Sequence, residues 1–188
     1  MLKSLKIFSL LLLLAAILAC GTDVPLSYNT RLSDDRLLGY WQADPESGIS
    51  IQRSSDGKLA TMIFYEYNEE QARFVPMTEK PLTIYFTALK DGKEEMQFLS
   101  VNTGDDKPDY TTNRIDFSAD GKLSLTGISY NFMKTEHGKV EDDVVLFGKP
   151  KHFQKFVQQH LKNSALYEEA VVFERRNDLH DFQLPSKS

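Results

Sequence analysis

Apolar and polar positions along the 188-residue chain change regime from one end to the other. Near the start, residues 7–18 form an apolar run, interrupted only by Ser9, behind Lys3 and Lys6. A basic opening, a short apolar run and a small residue before the cut make a secretory signal peptide. The run is too short to span a bilayer, which takes roughly 20 apolar residues. Further on, β-rich stretches at 49–53, 59–67, 82–90, 95–103, 114–118 and 123–132 are separated by turns. The turns repeat a tripeptide: Asp56-Gly57-Lys58, Asp91-Gly92-Lys93 and Asp120-Gly121-Lys122, with His137-Gly138-Lys139 similar. Glycine permits the positive φ that a hairpin turn needs, and aspartate tolerates it. Arg114-Ile115-Asp116-Phe117-Ser118 alternates as a strand with one wet face should. Met62 and Phe64 share one parity, while Ile63, Tyr65 and Tyr67 share the other. That strand therefore needs cover on both faces.

Spacing changes again after Pro150. Phe153, Phe156, Val157, His160 and Leu161 lie at i, i+3, i+4, i+7 and i+8, one apolar stripe that predicts a helix over 151–162. Proline suits the first turn, and Asn163 is a plausible stop. The following Ala170-Val171-Val172-Phe173-Glu174-Arg175 extends a helix or forms a last strand, and its β-branched content favours the strand. Gly127 suggests a bulge or sharp bend. The pattern as a whole predicts a mainly β domain over 36–178, an antiparallel up-and-down meander with one late helix. Residues 20–35 are polar and aperiodic and read as a tether, with a fully extended reach of roughly 50 Å. Residues 179–188 read as a loose tail.

Composition narrows the partners. The formal net charge is −5, and the leader holds basic residues only, so the remainder is more acidic still. Such a domain repels phosphate backbones, which argues against nucleic acid as a partner. Cys20 is the single cysteine, so no intramolecular disulfide can form and the fold rests on its apolar core.

Ile17-Leu18-Ala19-Cys20 resembles the lipobox of bacterial lipoproteins. The resemblance implies removal of residues 1–19, acyl chains such as palmitate on Cys20, and a stable membrane anchor, since each buried methylene contributes about 0.8 kcal/mol. In Gram-negative members an aspartate after the cysteine commonly retains the protein at the inner membrane. Gly21 stands there instead, which implies the outer membrane of the cell envelope, on either its periplasm side or its outer side. Leu37-Leu38-Gly39-Tyr40-Trp41 is similar to the Gly-x-Trp first strand of lipocalin-like barrels. The resemblance implies that Gly39 lets the backbone bend into the barrel floor and Trp41 closes the base. It also implies that an arginine of the last strand, Arg175 or Arg176, packs over the indole.

Two functions from different classes fit. In one, the barrel holds a small apolar or amphipathic ligand, with Tyr65, Tyr67, Tyr85, Phe86, Phe98 and Tyr130 as candidate lining residues. In the other, the core is closed and filled, and the domain is an envelope interaction module. The loop around Asp105, Asp106 and Asp109 would then serve recognition; its spacing does not match a 12-residue calcium loop. No catalytic constellation is recognisable: there is no Gly-x-Ser-x-Gly elbow, phosphate loop or His-Glu-x-x-His. His152 and His160 stand about 12 Å apart along a helix axis and cannot share a metal. No cofactor and no metal are expected.

Overall fold

Short alternating runs joined by tight turns pair most readily with their neighbours, and most strands of this chain do so. The computed structural model describes residues 21–32, 34–54, 57, 59–78, 80–104, 107–177 and 182. Its strands are β1 (Gly39–Asp44), β2 (Ser47–Arg53), β3 (Ala60–Asn68), β4 (Arg73–Pro76), β5 (Leu82–Asp91) and β6 (Glu94–Asn102). They continue as β7 (Tyr110–Phe117), β8 (Leu123–Ile128), β9 (Val140–Glu141), β10 (Val144–Val145) and β11 (Tyr167–Arg176). The helices are α1 (Tyr130–His137) and α2 (Pro150–His160). Strands β1, β2, β3, β5, β6, β7, β8 and β11 each pair antiparallel with the next, and β11 returns to β1. The result is a closed eight-stranded, lipocalin-like up-and-down barrel with a late helix. Strand β4 folds back on β3, and β9 and β10 form a separate hairpin.

The second Asp-Gly-Lys turn shows why glycine is needed. Asp91 pairs with Glu94, which leaves Gly92 and Lys93 as the entire connection, and Gly92 takes φ 62°. This two-residue turn suits the right-handed twist of the strands it joins.

Alternate residues of each strand point inwards. Trp41, Ile49, Ile51, Met62, Phe64, Ile84, Phe86, Leu99, Leu125 and Phe173 form one contiguous core. A second core lies outside the wall. There Leu89 and Phe98 meet Met133, Phe153, Phe156 and Val157 of the two helices, together with Val24 and Leu26. The apolar stripe of α2 thus packs against β5 and β6, and β11 takes the strand alternative.

The structure departs from the sequence pattern in five places. The run expected to continue as strand to 132 stops at Ile128, and Tyr130 opens α1. Ser129 caps that helix by accepting the Phe132 N–H, and Gly138 ends it at φ 74°. These caps outweigh the β propensity of the aromatic residues between them. Gly127 sits in regular register opposite Asn113. The irregularity falls on β11 instead, between Tyr167 and Ala170. Strand β4 carries no pattern of its own beyond four residues. The segment read as a tether runs, over residues 21–32, against the barrel, with Thr22, Val24, Leu26 and Leu32 buried. Of the expected tail, Phe182 is described, stacked on Phe74 at 4.6 Å.

Candidate functional site

A barrel offers an interior, two ends and an outer wall, and the residues at each decide what it can do. The floor is built around Trp41. Its Nε1–H donates to the Leu37 carbonyl at 2.8 Å, which draws the turn Asp35–Leu37 under the barrel. The Arg175 guanidinium lies 5.5 Å from the Trp41 ring centre and donates to the Leu38 carbonyl at 3.0 Å. Gly39 adopts φ 128°, and a Cβ there would stand 3.4 Å from that guanidinium. That is ordinary van der Waals contact, so position 39 favours glycine for its backbone conformation, not for want of space.

Above the floor the interior is solid. Trp41, Met62, Phe86, Leu99, Leu125 and Phe173 are each at most 1% exposed. Side chains with almost no surface open to water, from inside or out, leave little water-sized space beside them. The centre of the barrel is packed like any protein core.

Polarity enters at particular inward positions. Ser47, Gln97, Thr111 and Asn113 share the parity of inward core residues on their strands. Ser47 Oγ, Gln97 Oε1, Thr111 Oγ1 and Asn113 Nδ2 are buried without a protein partner. Ser47 and Thr111 open their strands at the end away from the floor. Gly127, opposite Asn113, adds no side chain. An orphaned buried polar atom costs about 1–3 kcal/mol unless water or a ligand satisfies it. The half of the barrel opposite the floor thus holds buried polar atoms with no protein partner, which the apolar core below lacks.

The six aromatics expected to line a ligand site are dispersed. Phe86 belongs to the interior core. Tyr65 points outwards into a cluster with Tyr40, Phe74 and Phe182. Its hydroxyl meets Ser50, and burial pushes its pKa up to about 12. Tyr67, on the same outer face, packs edge-on against Phe74 at 5.4 Å. Tyr85 stands between Tyr28 and Tyr110 on the wall, at 5.7 and 5.9 Å. Phe98 lies beneath the helices. Tyr130 opens α1, with its hydroxyl 3.5 Å from Asp143. Strand parity does place Tyr65 and Tyr67 together, but on the outside. Cys20, Asp105 and Asp106 lie outside the described residues. Among the described residues, no group of three His, Cys, Asp or Glu side chains is gathered to hold a metal.

One constellation escaped the sequence pattern altogether. Gly21, Thr22 and Asp23 run between the start of β7 and β10, and Thr22 forms bridges to Tyr110 and Val145. Asp109 faces this segment with Oδ1 buried and unpartnered. Burial raises its pKa, and a hydrogen bond from the Gly21 backbone opposes the rise. No apolar period marks such a stretch, because it contacts the wall through its backbone. Comparison with protein-family models, curated proteins and solved structures gives no match.

Proposed function

We propose that this chain is an envelope lipoprotein whose lipocalin-like barrel is a filled scaffold presenting its outer surface to a protein partner. The filled interior carries the reading. Trp41, Met62, Phe86, Leu99, Leu125 and Phe173 occupy the space in which a carrier of this shape would hold its ligand. An eight-stranded barrel can equally be packed with side chains, and here these six inward residues are large and almost wholly unexposed. The leader and Ile17-Leu18-Ala19-Cys20 support attachment through acyl chains at Cys20. Gly21 in place of aspartate supports the outer membrane as its address. The charge of −5 favours partners other than nucleic acid. The reading includes no catalytic step and no cofactor.

A second reading has one observation in its favour. The unpartnered Ser47 Oγ, Thr111 Oγ1 and Asn113 Nδ2 would suit a small polar or amphipathic molecule seated in the half of the barrel opposite the floor. One experiment separates the two. The chain from Gly21 onward is secreted without its anchor, and its native mass is measured before and after solvent extraction. The scaffold reading expects the mass of the bare polypeptide both times. A stoichiometric companion removed by solvent would establish a carrier instead.

A further inference from the structure

Resting on the lipoprotein reading above, we infer that the residues after Cys20 are a clasp: they hold the barrel directly against the lipid surface, with the end bearing Tyr110, Val145 and Gly148 turned to the bilayer. The clasp is built from backbone. Gly21 accepts the Val145 N–H at 3.0 Å, and Thr22 exchanges two hydrogen bonds with Tyr110, both 2.9 Å. The Asp23 N–H donates to the Val145 carbonyl at 3.2 Å. The Asp23 carboxylate accepts the N–H groups of Phe147 at 2.7 Å and Gly148 at 2.8 Å. Thr22 is 1% exposed, and its hydroxyl donates to the Val24 carbonyl at 2.6 Å. A spacer would leave these groups to water; here they pair with the start of β7 and with β10 and the residues after it.

Covalent geometry does the rest. Consecutive α-carbons stand about 3.8 Å apart, so Gly21, fixed by these bonds, is one residue step from the cysteine that the lipoprotein reading acylates. Lys107 pairs with Asp142 at 2.8 Å, which offsets one acidic charge of the β9–β10 hairpin. The hairpin at this end also carries Glu141 and Asp143. The opposite end, at the β5–β6 turn, lies roughly 30 Å away along β6. Position 21 is also restricted: a Cβ there would lie 2.1 Å from Asp109 Oδ1 and 2.5 Å from the Tyr110 carbonyl oxygen. Glycine after the cysteine therefore has a packing cause, independent of any sorting rule.

The test uses the full chain purified from bacterial membranes, labelled at one added cysteine, Glu141→Cys in β9 or Lys93→Cys in the β5–β6 turn. Both sites are exposed. The mass of the N-terminal peptide is measured first. Each protein is then placed in lipid nanodiscs whose headgroups carry a short-range quencher. A clasp predicts several-fold stronger quenching at 141 than at 93, with the difference shrinking in Asp23→Ala. Acylated protein quenched equally at both sites overturns the clasp and leaves the lipoprotein reading standing. An N-terminal peptide without acyl mass overturns both.

Discussion

At the scale of single residues, Asp109 carries a cost that the wild-type chain accepts. Its carboxyl is half buried, one oxygen has no partner, and burial raises its pKa from the ordinary carboxylate value, against an opposing hydrogen bond from the Gly21 backbone. A raised folded-state pKa means that the folded protein holds this proton more tightly than the unfolded chain. Stability from this group is then fully present below the unfolded carboxylate pKa, and is lost as pH rises through the folded value. Asp109→Asn removes the charge and keeps the shape. We expect the variant to melt above wild type at pH 7, with the gap closing as pH falls towards 3. Thermal melts across that range check it, and a gap that widens in acid would contradict the assignment. Residues at the floor illustrate the opposite case. The Arg175 guanidinium over Trp41 and its bond to Leu38 unite three elements at modest energy, since a cation–π contact contributes roughly 0.5–2 kcal/mol.

At the scale of elements, the N-terminal clasp is the least predictable and most testable part. Gly21→Ala forces a methyl group against a backbone carbonyl, which cannot swing aside as a flexible side chain would. Overpacking of this kind costs about 1–3 kcal/mol. Chemical denaturation of the secreted chain should show that loss, and hydrogen exchange should show faster exchange at the Tyr110 and Val145 amides. Unchanged stability and unchanged protection would mean that the segment is not clasped.

The same element shows where sequence reading runs out. Strands flanking Asp-Gly-Lys turns were legible because hairpin turns and alternation are local. The helix at α2 was legible because its stripe is periodic. The segment 21–32 was read as a tether because it has no period: Val24, Leu26 and Leu32 meet two different cores as the strap crosses the wall. Helix α1 was obscured because only Met133 among its residues is buried, so no stripe announces it.

At the scale of the whole molecule, closure of the sheet sorts every aromatic residue to the inside or the outside, and function follows that sorting. Strand parity told which residues share a face, as with Tyr65 and Tyr67, but not which face is the inside. That depends on closure between β11 and β1 and on what covers the wall. Phe182 covers Tyr65, and the helices cover Phe98, so residues suited to a ligand site serve as outer-wall packing. The floor motif was legible because Gly39 and Trp41 lie two residues apart; the unpartnered atoms opposite the floor come from distant strands and leave no local trace. The central claim is that the barrel interior holds side chains and nothing else. It is tested most directly by crystals of the secreted chain from Gly21 onward under xenon pressure, because dry apolar cavities of about 150 Å³ take up xenon readily. The account predicts no xenon among Trp41, Phe86, Leu99 and Phe173. An ordered xenon atom there would reveal an open cavity and return the barrel to the class of ligand carriers.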